Sequence, residues 1–93
     1  MTIENILKNI IDLCTQFSAD RVILFGSRAK GTNTDRSDID IAVRGVKNIW
    51  ELQEKLEEIP TLYKIDLVDL DTCKNQLLME DIEQYGREIY KKI

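Results

Sequence analysis

Six residues have the types and spacing to do chemistry. Gly26-Ser27 comes first, Asp38 and Asp40 follow after ten intervening residues, and Asp66 and Asp69 lie further on. In a strand, residues i and i+2 point to the same face, roughly 6.5–7 Å apart. Asp38 and Asp40 are then presented side by side, while Ile39 and Ile41 turn to the core. Two carboxylates held so close repel each other, and keeping both ionised is costly. A divalent cation between them removes the conflict, and oxygen-only ligands suit magnesium or manganese. An Asp-x-Asp alone is more often just the wet face of an edge strand.

Gly26-Ser27 adds a second element. A glycine at a strand end lets the backbone approach a ligand closely, and the turn after it exposes amide N–H groups. If Ser27 also opens a helical turn, those amides point at an anion and its hydroxyl adds a donor. A lone Gly-Ser is just as often an ordinary turn. The conjunction of both features is far more specific than either.

The elements that must position these groups can be read from periodicity. Ile3, Ile6, Leu7, Ile10, Ile11, Cys14 and Phe17 draw one apolar stripe, a helix with Thr2 as N-cap that ends near residues 18–20. Arg21 to Phe25 reads as a short strand, apolar on both faces and so central. Residues 28–37 are polar, with Gly31, Asn33 and Asp35 as turn formers, and their start has room for one helical turn. Asp38 to Val43 alternates as a second strand. Asn48, with Glu51 three residues on, opens a helix whose stripe is Ile49, Leu52, Leu56 and Ile59 and which Pro60 ends. Ile65 to Leu70 is a third strand. A last helix is expected over about Thr72 to Tyr85, with Leu77, Leu78, Ile82 and Tyr85 inward and Gly86 in a left-handed cap. Arg87 to Tyr90 adds a short closing strand.

This order predicts one α/β (or α+β) domain over residues 1–93, with helices packed on a small sheet. About a dozen residues separate the first two strands, which is short for a parallel crossover. The sheet is therefore expected to be mixed.

Composition narrows the function. The chain has 93 residues, 43% hydrophobic and 32% charged, as in an ordinary globular protein. No segment approaches the ~20 apolar residues of a membrane span, and the N-terminus lacks the basic region of a signal peptide. There is no histidine, and Cys14 and Cys73 form no CxxC pair, so a Cys/His zinc site is excluded. Two free thiols without an export signal point to the cytoplasm. A net charge of −4 argues against general nucleic-acid binding.

With GSRAKGTNTDRSDID, the preceding VILF, the later IDLVDL and the closing Ile82–Tyr90 pattern in view, the chain resembles the minimal nucleotidyltransferases, a branch of the DNA polymerase β-like superfamily. The resemblance covers nearly the whole chain. It implies that Gly26 and Ser27 hold the β- and γ-phosphates of ATP, and that Asp38 and Asp40 ligate two Mg2+ ions (or Mn2+). The third carboxylate lies on the later strand. Asp66 and Asp69 compete for it, on opposite faces by parity, and the family's position at the first acid of this strand favours Asp66. It would hold the metal that activates an attacking hydroxyl and accept the proton, so that no histidine base is needed. Attack at the α-phosphorus then releases pyrophosphate.

Outside these residues, Arg28 and Lys30 either contact phosphates or a partner, or are solvated turn residues. Ser37 is expected to hydrogen-bond its own loop. Trp50 lies off the stripe of its helix, as a partner contact or a rim residue.

The sequence does not name the acceptor, and the chain has no room for a separate substrate domain. Stand-alone members of the resembled family pair with HEPN ribonucleases in toxin–antitoxin modules, where AMP transfer to a tyrosine silences the toxin. The resemblance thus implies an antitoxin acting on a HEPN-type partner. The alternative is a non-catalytic module that neutralises its partner by contact alone. Antibiotic adenylylation is a third, less favoured reading.

Overall fold

The computed structural model describes residues 2–93. Thr2 caps α1 (Ile3–Gln16), accepting from the Asn5 amide. Its stripe buries Ile6, Ile10 and Cys14 completely. Removing a side chain of this kind from a packed core, as in Ile10→Ala, costs about 2–5 kcal/mol. Burial pushes the Cys14 thiol up to about 12, so it stays protonated and packs as an apolar group.

The chain continues through β1 (Arg21–Phe25), the single turn α2 (Ser27–Lys30) and β2 (Ile39–Arg44). It then forms α3 (Ile49–Glu57), β3 (Ile65–Asp69), α4 (Gln76–Tyr85) and β4 (Arg87–Lys91). The sheet order is β3-β2-β1-β4. β1 runs antiparallel to β2 and β4, while β2 and β3 are parallel. The sheet is mixed, as expected, and β1 has a neighbour on each side.

One face carries Val22, Leu24, Ile39, Ile41, Val43 and Ile65 under α1 and α3. The other carries Ile23, Phe25, Ala42 and Leu70 against Ile82 of α4. Alternation along β2 thus sends its isoleucines into the first core and turns Asp40 to the opposite side. Asn48 caps α3 as expected: the Glu51 amide donates to Asn48 Oδ1 at 3.1 Å. The return bond comes from the side chain, Asn48 Nδ2 donating to the Glu51 carboxylate at 3.2 Å, rather than from the backbone amide of a full capping box.

The last third of the chain departs from expectation in three places. α4 begins at Gln76 rather than Thr72, because Asn75 takes the cap and accepts from the Leu78 amide. The amides of Thr72 and Cys73 instead close a turn on the Asp69 carbonyl. The inward face is also narrower than expected: Leu77 is 78% exposed and Tyr85 47% exposed, while Ile82 is buried, because five residues of helix turn Leu77 well away from Ile82. Finally, Gly86 is extended (φ −65°, ψ 148°), not left-handed. Glycine is required there by space: a Cβ would overlap the Ile82 carbonyl oxygen and lie 2.7 Å from Ile23 Cγ2.

Among the described residues, no helix is long and apolar enough to cross a membrane.

Candidate active site

The candidate residues converge at one end of the sheet. Phe25, the last residue of β1, is opposite Asp40 of β2, and Asp40 is in register with Asp66 of β3. Gly26 therefore leaves β1 directly over Asp40. It adopts φ +74° and ψ −154°, a conformation open essentially to glycine alone. A Cβ on Gly26 would occupy the space of Asp40 Oδ2.

Ser27 opens the expected single helical turn. The amides of Ala29 and Lys30 both donate to the Gly26 carbonyl at 3.2 Å. The amides ahead of them in such a turn have no partner within it and are available to an outside acceptor.

Asp38 is exposed and stands just before β2, which begins at Ile39 rather than at Asp38 as expected. Asp40 and Asp66 are half-buried and share a side-chain hydrogen bond. Asp40 is pushed from its ordinary 3.8 to about 6. Partial burial is the largest cause, followed by the Asp66 charge, the hydrogen bond to Asp66 and the charge of Asp38, with Lys64 opposing. This is the mutual repulsion expected of crowded carboxylates. Their hard oxygen donors fit a divalent cation of the magnesium type. Among the described residues no three acidic, histidine or cysteine side chains close around a single point. Asp40 and Asp66 meet, and Asp38 flanks them.

Asp69 is placed elsewhere. It is opposite Val43, three residues along β3 from Asp66, or roughly 10 Å at strand rise. Its carboxylate accepts from the Asp71 amide at 3.0 Å, and its carbonyl accepts from Cys73. It therefore shapes the turn after the strand.

The basic residues near the site are tied into the fold. Arg28 donates to the Ser37 carbonyl and lies over the Tyr63 ring. Lys30 pairs with Asp81 at 2.8 Å and lies over Tyr85, which fastens α2 to α4. These contacts set them apart from freely solvated turn residues. Ser37 does bond within its own loop: its hydroxyl accepts from the Thr34 amide at 2.8 Å. Trp50 is 80% exposed.

Sequence reasoning missed Tyr63 and Lys64. Lys64 Nζ lies 3.5 Å from Asp66 Oδ1. Its position two residues before Asp66 was the available signal, since strand parity puts both on one side. Nothing in the sequence marks Tyr63, whose role depends on an arginine thirty-five positions away.

Comparison with known proteins extends this geometry. The polymerase beta nucleotidyltransferase family profile matches residues 8–93. A chain of Methanocaldococcus jannaschii, named as a candidate protein adenylyltransferase, is 36% identical over 76 residues, covering 74% of this chain and 75% of the relative. The protein adenylyltransferase MntA of Shewanella oneidensis is 35% identical over 74 residues, covering 74% of this chain and 52% of the relative. The chain thus spans about half the length of that second relative. A crystal structure of a toxin–antitoxin with AMP-PNP superposes with a TM-score of 0.75 at 32% identity, covering 98% of this chain and 75% of that one.

Proposed function

The chain belongs to the polymerase beta nucleotidyltransferase family, a family of nucleotidyl-transferring enzymes, and on that basis we propose that it transfers AMP from ATP to a hydroxyl, specifically a tyrosine of a HEPN-type toxin. Residues 1–93 act in this reading as one nucleotidyltransferase domain working in the cytoplasm. Asp38, Asp40 and Asp66 would hold two Mg2+ ions, which would supply charge neutralisation at the triphosphate and a lowered pKa for the attacking hydroxyl. Gly26 and Ser27 receive the β- and γ-phosphates over the same edge. The acceptor oxygen bonds to the α-phosphorus, the bond from that phosphorus to the β-phosphate bridging oxygen breaks, and pyrophosphate leaves. The hydroxyl proton passes to the Asp66 carboxylate and on to water.

The observation that carries the proposal is the register pair Asp40–Asp66 directly beneath the Gly26 turn. A structural role alone gives no reason to crowd two acids at one sheet end under a glycine. The partner class draws on the toxin–antitoxin neighbour and the MntA relative. Calorimetry with ATP tests the first step. Binding should strengthen markedly with Mg2+, and equal affinity in a chelator would remove the metal-dependent reading.

A further inference from the structure

Arg28 joins the three segments that carry the proposed site. Its Nε and Nη2 both donate to the Ser37 carbonyl, at 3.2 and 2.9 Å. Its guanidinium carbon lies 4.7 Å from the centroid of the Tyr63 ring. In sequence, Arg28 follows Ser27, Ser37 precedes Asp38, and Tyr63 lies three residues before Asp66. The last two segments are also stitched together by the Ile39 amide, which donates to the Lys64 carbonyl at 2.8 Å.

We propose, resting on the function above, that Arg28 is a positioning residue that sets Asp38 against Ser27 and Asp66 without itself touching nucleotide. Residues 31–36 are exposed and lack helix or strand. The Thr32 amide returns to α2 on the Ser27 carbonyl at 3.0 Å, but the Thr34–Ser37 bonds further on close a local turn and do not fix that turn to α2. The Arg28 fork supplies that connection and grips the carbonyl that adjoins the Asp38 amide. Two donors converging on one carbonyl set direction as well as distance, and the Tyr63 ring backs the guanidinium plane. A lysine keeps the charge but has no planar fork to reproduce this geometry. Losing a partner that orients metal ligands from behind typically lowers metal affinity about 10–100-fold.

The test compares the wild-type chain with Arg28→Lys in two measurements: Mn2+ binding in the presence of ATP, and backbone amide NMR of the protein alone. We expect Mn2+ affinity to fall about tenfold, ATP affinity at saturating Mn2+ to hold, and the Ser37, Asp38 and Ile39 amide signals to shift. Lost ATP affinity at saturating Mn2+ would make Arg28 a phosphate ligand and overturn the proposal. Unchanged Mn2+ affinity beside a lower melting temperature would also overturn it, leaving Arg28 a purely structural residue. If Arg28→Lys does not fold, Tyr63→Leu takes its place, with a smaller Mn2+ loss expected and no loss overturning the proposal. A wild-type chain that binds no Mn2+ with ATP would sink the proposed function itself. The amide signals then decide on Arg28 separately: unmoved signals at Ser37 to Ile39 overturn its positioning role.

Discussion

Gly26 and Asp40 are in direct contact: the Asp40 carboxylate fills the space that a side chain on Gly26 would need. The Gly26 turn and the acidic strand are therefore built against each other, and neither can change alone.

Gly26→Ala should injure the site more than the fold. The positive φ of +74° makes alanine strained by about 1–3 kcal/mol, and the new methyl must displace the Asp40 carboxylate. Misplacing a reacting group by about 1 Å can cost about 100-fold in rate. Transfer assays beside thermal melts check this. A variant that melts lower but transfers normally would separate the turn from the chemistry.

The Asp40 shift makes a pH prediction with a definite sign. Its carboxyl is raised from 3.8 to about 6. Below about pH 4 folded and unfolded chains both hold the proton. Between about 4 and 6 only the folded chain does, so the stability linked to this group declines as pH rises through about 6. In a chelator, Asp40→Asn should melt higher than wild type above pH 6, with the gain shrinking toward pH 4. Because the group is only half-buried and solvent screens part of the interaction, the effect should be modest. A gain of the same size at pH 4 would mean that repulsion is not its source.

Asp66→Asn should lower transfer about 100-fold or more, the scale of losing a principal electrostatic contact to the reacting groups. Asp69→Asn should leave most activity. Its amide oxygen can still accept from Asp71, so stability should change by less than about 1 kcal/mol. The reverse ranking would move the third carboxylate three residues along β3.

Much of this was legible in the sequence because strand parity is strict. DIDIAV placed Asp40 opposite the isoleucines, and IDLVDL separated Asp66 from Asp69. Two cap-forming residues, Thr72 and Asn75, stood ahead of the last helix, and only the turn built on Asp69 selects the second. Gly86 was expected for a left-handed angle, whereas its closeness to the Ile82 carbonyl and Ile23, invisible in the sequence, is what requires a glycine. Arg28, Tyr63 and Ser37 form one unit only after the fold brings them together, so no local pattern could announce it.

Catalysis and simple binding separate in cells. If the chain silences a toxin by AMP transfer, Asp38→Asn combined with Asp40→Asn should fail to protect cells while still folding and still binding the partner. Folding should survive because removing these charges relieves repulsion. Partner binding should survive because such interfaces extend over several hundred Å² per side. Full protection by the double variant at matched expression would leave a nucleotidyltransferase fold serving as a binding module.

The most direct measurement follows the α-phosphate. The chain is incubated with Mg2+, ATP labelled at the α-phosphorus and the protein encoded by the adjacent reading frame, and the proteins are then separated. The account predicts label on the partner's tyrosine, lost in a chelator and lost with Asp38→Asn and Asp40→Asn combined. Label that appears equally with the double variant, or a wild-type chain that binds its partner and Mg2+-ATP yet transfers nothing, would contradict it.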